Sequence, residues 1–91
     1  MYLIIEPSIY HPLDTRYEDE KERLNTFTNW PMYMQPTSQE LSKAGFYYLG
    51  NVDRVRCFCC GVTLRNWKLT DNALGEHKRH APHCLFIYIQ Q

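Results

Sequence analysis

The order of apolar and polar positions divides the chain into stretches with different periods. Residues 1–13 (MYLIIEPSIYHPL) are largely apolar, carry Pro7 and Pro12 and keep neither a helical nor an alternating rhythm, which reads as an extended or disordered arm. Residues 14–91 read as a single domain. Thr15-x-x-Glu18 has the form of a capping box and opens a charged helix to about Phe27, with Tyr17, Leu24 and Phe27 on one face. Trp30-Pro31 ends it, because the residue before a proline avoids the helical region. After a linker holding Met32, Tyr33, Met34 and Pro36, Thr37-x-x-Glu40 is a second capping box, for a short helix that Gly45 closes. The period then changes to two. Phe46–Leu49 and Val55–Phe58 read as strands around the Gly50-Asn51 turn, and Val62–Trp67 as a third. Asp71 can cap a last helix over about 72–80, which stops before Pro82. The pattern predicts a small α+β domain, a three-stranded antiparallel sheet surrounded by short helices.

Composition adds two constraints. A 91-residue chain buries only about two-thirds of its unfolded surface, so a staple beyond the apolar core is expected. At 44% hydrophobic with zero formal net charge, it is too apolar and too neutral for a disordered chain. No apolar run approaches the roughly 20 residues of a membrane span. Met1–Ile5 has neither the basic flank nor the cleavage site of a signal peptide, so no membrane partner is expected. Charge is split along the chain, with seven acidic and three basic residues in 1–40 and the reverse in 41–91. The basic half reads as an offset to an acidic first helix and a thiolate cluster rather than a nucleic-acid face.

The four cysteines all lie between 57 and 84. Without a secretory signal, a disulfide framework is not expected, and clustered Cys and His in a reducing, cytoplasmic setting favour a metal. The informative spacing is Cys57-x2-Cys60, then a histidine, then Cys84. Cys57 and Cys60 sit where the second strand turns toward the third, with Gly61 easing the backbone just after them. The two-residue gap suits chelation by Cys60 rather than Cys59, which is left as a buried thiol on the other face. His77, His80 and His83 are all candidates for the fourth ligand. One structural zinc with four protein ligands has no open position, so the site excludes catalysis at the metal, and no nucleophile–base pair stands out elsewhere. The long gap and the terminal His-x6-Cys do not fit a DNA-reading finger, and no nucleic-acid partner is expected.

Over about residues 22–86 the chain resembles a BIR domain, the zinc-binding repeat of inhibitor-of-apoptosis proteins. The resemblance is carried by Arg23-Leu24-x-Thr26-Phe27-x-x-Trp30-Pro31, Leu41-x-x-Ala44-Gly45-Phe46-Tyr47-Tyr48, Val55-x-Cys57-Phe58-x-Cys60, Trp67-x-x-x-Asp71 and His77-x-x-x-x-Pro82-x-Cys84. Cys57-Phe58-Cys59-Cys60-Gly61 with Asn66-Trp67-Lys68-Leu69 is most similar to the first repeat of cellular, insect or insect-viral members. The resemblance implies Cys57, Cys60, His77 and Cys84 as the zinc ligands. It also implies a protein-interaction role in blocking programmed cell death, with caspases, the N-terminal Ala-type peptides of apoptosis antagonists, or adaptor proteins as partners. By position it makes Asp71 the carboxylate for a peptide's α-ammonium, Glu76 a second acidic neighbour and Trp67 the indole on the groove floor. Leu64 and Arg65 lie on the strand that would pair with the peptide. His80 stands where peptide-binding repeats carry a second tryptophan, Thr63 where glycine is common, and Ala73 replaces a proline. In the family, ubiquitin ligase activity comes with a separate RING, whose second Cys/His array this sequence does not contain.

Overall fold

The computed structural model describes residues 12–89. The arm expected over 1–13 lies outside the described residues except for Pro12 and Leu13. The amides of Leu13 and Asp14 donate to the carbonyls of Cys59 (3.3 Å) and Phe58 (3.0 Å), so the chain enters along the loop that carries the first cysteines.

A short 3-10 turn, Thr15–Tyr17, precedes helix α1 (Glu20–Asn25) and helix α2 (Ser38–Lys43). Strands β1 (Phe46–Tyr48), β2 (Val55–Cys57) and β3 (Thr63–Leu64) follow, then helices α3 (Ala73–His80) and α4 (Leu85–Ile89). The strands form an antiparallel meander in sequence order, with Phe46 opposite Cys57 and Val55 facing both Tyr48 and Leu64. The expected α+β class and three-stranded sheet are what the chain forms. No helix among the described residues is long and apolar enough to cross a membrane.

The first helix departs from expectation. The Thr15/Glu18 box does not open it. Asp14 caps the 3-10 turn by accepting from the Arg16 amide, and Asp19, in extended conformation, caps α1 by accepting from the Lys21 amide. Two aspartates with short, strongly accepting side chains win the cap positions, and the run is cut in two at Glu18. Nor is the buried face wholly apolar. Phe27 is buried and Leu24 half-buried, but the residue that α1 drives into the core is Arg23, 2% exposed.

The Arg23 guanidinium bridges three backbone carbonyls. Its Nε donates to the Ser42 carbonyl at 2.8 Å, and its Nη1 to the Tyr17 and Glu18 carbonyls, both at 2.9 Å. Its planar face lies over the rings of Phe58 (4.7 Å) and Phe86 (5.3 Å). Orphan carbonyls at the 3-10 turn are thereby satisfied, the turn is tied to the end of α2, and burial of the charge is offset by neutral acceptors and π-faces.

The second helix follows its sequence signals. The Thr37 hydroxyl accepts from the Glu40 amide at 3.2 Å, and Gly45, at φ +98°, ends α2 and turns the chain into β1. The linker before it is held by the Trp30 indole, which donates to the Pro36 carbonyl at 3.2 Å, and the Gln35–Pro36 bond is cis. Phe27, Trp30 and Tyr48 stack edge and face beneath it. Leu41, Phe46 and Val55 are wholly buried and tie α2 to the sheet.

Two further differences occur in the last third. The third strand is only Thr63–Leu64, because Asn66 takes a left-handed φ of +61° and breaks the extended run before Trp67. The cap of α3 is Asn72, which accepts from the Gly75 amide at 2.7 Å, rather than Asp71. Asp71 instead closes the preceding turn, accepting from the Lys68 amide at 2.8 Å. Helix α4, not expected from the sequence, packs Phe86 edge-on against Phe58 at 5.1 Å.

Candidate metal centre and adjoining groove

Three elements converge on one buried point. The end of β2 and the turn after it supply Cys57 and Cys60. That turn closes by a bond from the Gly61 amide to the Cys57 carbonyl at 3.0 Å, with Gly61 at φ +81°. Helix α3 supplies His77, wholly buried, and the start of α4 supplies Cys84. The four ligand atoms lie within 4.8 Å of one another.

The inner distances fit a tetrahedron. Cys57 Sγ and Cys84 Sγ are 3.8 Å apart, and Cys60 Sγ is 3.6 Å from His77 Nε2. A small dication with sulfur at about 2.3 Å and nitrogen at about 2.0 Å requires S–S and S–N edges of about 3.8 and 3.5 Å. His77 Nδ1 donates to the Ala44 carbonyl at 2.7 Å, which fixes the ring and leaves Nε2 as the metal-facing atom. The amides of Cys59 and Cys60 point at Cys57 Sγ, at 3.3 and 3.5 Å, and stabilise negative charge there. The donor set therefore fits a closed four-ligand metal site.

Proton affinities in the cluster are strongly coupled. Hydrogen bonds from Cys57 and Cys60 push Cys84 far below the usual thiol range, while Cys57 is driven far above it. Burial works against a charged His77, but hydrogen bonding to Cys60 and Cys84 outweighs it and raises the imidazole to about 9. Cys59 stands outside the four, buried, with its thiol pushed up by desolvation. His80 and His83 are exposed and do not join the cluster.

Beside this centre, the exposed side of β3 and the facing side of α3 enclose a groove of about 390 Å³. Leu64, Arg65, Trp67, Asp71, Glu76 and His80, the six candidates for peptide contact, all line it, together with Thr63, Asn66, Lys68 and Arg79. Trp67 is half-buried on Phe46, with ring centroids 5.9 Å apart. Its backbone amide is held by the Asp53 carboxylate at 2.9 Å.

Asn66, Lys68 and Arg79 are groove residues not among the sequence candidates, and the Arg79 side chain contacts one of those candidates. It spans the Glu76 carboxylate, with Nη2 at 2.9 Å from Oε1 and Nε at 3.4 Å from Oε2, and holds that carboxyl below its ordinary range. The i, i+3 spacing on α3 was a legible signal for that pair. Nη2 also lies 3.0 Å from His80 Nε2. A guanidinium can only donate, so that contact makes His80 Nε2 an acceptor.

Comparison with known proteins agrees with this arrangement. Residues 23–88 match the model of the Inhibitor of Apoptosis domain, BIR. The chain is 47% identical over 83 residues, 91% of its length, to the E3 ubiquitin-protein ligase XIAP of Rattus norvegicus, of which the match covers 16%. It is 54% identical over 70 residues, 76% of its length, to Baculoviral IAP repeat-containing protein 3 of Homo sapiens, of which it spans 11%. The chain therefore corresponds to a small part of these relatives. Among solved structures, the crystal structure of DIAP1 BIR1 bound to a Grim peptide superposes with a TM-score of 0.67 at 38% identity. That match covers 71% of this chain and 66% of the other.

Proposed function

Because the chain belongs to the BIR family of inhibitor-of-apoptosis domains, we propose that residues 14–91 form a zinc-held protein-interaction module that receives the free N-terminus of a partner chain. Cys57, Cys60, His77 and Cys84 hold one zinc ion. The metal supplies no reactive chemistry in a closed site, and its role is to lock β2, α3 and α4 together. The groove lies between α3 and β3, which pairs with β2, so the metal centre fixes how its two walls sit against each other.

The observation that carries this reading is the gathering of Leu64, Arg65, Trp67, Asp71, Glu76 and His80 on one groove beside an edge strand. An extended peptide adds a strand to β3, its α-ammonium meets the Asp71 carboxylate, and Trp67 covers its first residues. That the similar DIAP1 BIR1 domain has been solved bound to a Grim peptide supports peptide binding by this chain. Partners of this kind are caspases or the N-terminal Ala-type peptides of apoptosis antagonists, met in the cytoplasm, where cysteines stay reduced and available to a metal.

A second reading is an adaptor scaffold that docks through its helices. An apolar hollow of about 220 Å³ between α2 and the start of α3, with Leu74 42% exposed on its rim, favours it. Titration of the zinc-loaded chain with an Ala-initiated tetrapeptide, followed by Trp67 fluorescence, separates the two. The groove reading expects saturable binding that N-acetylation abolishes. Binding indifferent to acetylation, or none at millimolar peptide, rejects it in favour of the scaffold.

A further inference from the structure

The groove's ionic groups are not balanced. Five charged side chains line it, two acidic and three basic. Glu76 and Arg79 neutralise each other through two contacts. Asp71 spends one oxygen on the Lys68 amide, and its other oxygen makes no hydrogen bond among the described residues. Arg65 and Lys68 are exposed, and their cationic groups take no hydrogen bond or ion pair from any described residue. One uncommitted anion therefore faces two uncommitted cations.

We infer that the groove selects a peptide whose free N-terminus is followed, within its first four residues, by an acidic side chain, with Arg65 and Lys68 as the residues that read it. The inference rests on the peptide-binding reading above. A bound α-ammonium uses Asp71 alone, since Arg79 already holds Glu76. That leaves Arg65 and Lys68 as the dominant field along the remaining peptide. Arg65 directly follows β3, the strand a peptide would pair with, and lines the groove, which puts its charge alongside a paired ligand. A carboxylate side chain is attracted there and an ammonium side chain repelled, which is discrimination by charge match and mismatch together. The position where the resemblance expects a second indole holds His80, whose ring is tied to Arg79. That stretch of the groove accordingly offers polar contacts in place of an aromatic cover.

The test is a set of tetrapeptides beginning with alanine and otherwise Gln, with Glu or Lys placed in turn at positions two, three and four. They are titrated against the zinc-loaded chain by Trp67 fluorescence, each with its N-acetylated control. At one position Glu should bind about fivefold more tightly than Gln and Lys about fivefold more weakly, the scale of an exposed ion pair or two. The spread should collapse in 1 M salt, where the screening length is about 3 Å. In Arg65→Glu, and in Arg65→Glu/Lys68→Glu, the order of Glu and Lys should reverse. Both side chains are exposed, so folding is not at stake and is checked by circular dichroism. Acetylation-sensitive binding that is blind to charge, or an unchanged order in the variants, overturns the acidic preference and leaves the groove standing. Absence of acetylation-sensitive binding by every peptide overturns both.

Discussion

His77 Nδ1 donates to the carbonyl oxygen of Ala44 at 2.7 Å, and through that bond the metal centre is joined to the end of helix α2. Ala44 is the C-cap residue of α2, where carbonyls lack helical partners. One imidazole thus satisfies an orphan acceptor with Nδ1 and faces the three thiols with Nε2. Gly45, the next residue, would bring a Cβ to 3.4 Å from the His77 ring, so ligand and turn are packed as one unit.

Removal of the metal should therefore unfold the domain rather than loosen one loop. A structural zinc contributes roughly 10–16 kcal/mol of apparent binding energy at neutral pH, about as much as the whole stability of a small domain. Excess chelator should abolish the cooperative melting transition, as should Cys84→Ala. A metal-free chain that keeps a sharp transition and its near-ultraviolet dichroism would contradict the assignment.

Arg23→Met should cost about 3 kcal/mol, the scale of a buried charge-assisted network broken at one partner. It strands the carbonyls of Tyr17 and Glu18 and removes one of two donors from that of Ser42. Arg23→Lys should recover little, because an ammonium cannot span three divergent acceptors or lie flat on Phe58 and Phe86. Urea unfolding of the three zinc-loaded proteins measures this. A midpoint within error of the parent for either variant contradicts it.

Those two sites differ in how far the sequence revealed them. The cysteine pair was legible because chelation constrains spacing, whereas His77 was separated from His80 and His83 only by the resemblance. The second helix was legible from its capping box, and the third strand from alternation, though it is shorter than its pattern. The burial of Arg23 was not, since its acceptors are carbonyls brought together only by the tertiary fold. Helix α4 was missed for a related reason. Leu85-Phe86-Ile87-Tyr88-Ile89 carries no polar period or cap, and its helicity is imposed by packing Phe86 and Ile87 into the core. The groove's six candidates were placed by resemblance, whereas Arg79 needed side-chain geometry.

Two glycines separate backbone strain from steric crowding. Gly45 and Gly50 both sit at positive φ, +98° and +77°. A Cβ at Gly45 would lie 2.9 Å from the Phe86 ring, while at Gly50 it would meet nothing within 4 Å. Gly50→Ala should cost about 1 kcal/mol, the left-handed penalty alone. Gly45→Ala should cost at least about 2 kcal/mol, since Phe86 must also move within a packed core. Equal thermal shifts for the two variants would show that Phe86 yields freely and would refute the crowding argument.

The ion pair on the groove wall makes a prediction in pH. Hydrogen bonding from Arg79 holds the Glu76 carboxyl below its ordinary value in the folded state. A depressed carboxyl favours the fold above the unfolded-state value, about 4.3, and that contribution fades as pH falls through the lower folded value. Arg79→Gln should return Glu76 toward the ordinary range, visible as an upward-shifted titration of its side-chain carboxyl carbon by NMR. Because Arg79 is exposed and Glu76 only partly buried, the melting temperature at pH 7 should scarcely change. Peptide affinity should change, since the released carboxylate becomes a second acceptor for an α-ammonium beside Asp71. Arg79→Gln should bind Ala-initiated tetrapeptides about threefold more tightly, the gain of one exposed charge contact. Unchanged affinity with a shifted Glu76 titration would place Glu76 out of reach of the peptide's N-terminus, leaving Asp71 as its sole carboxylate.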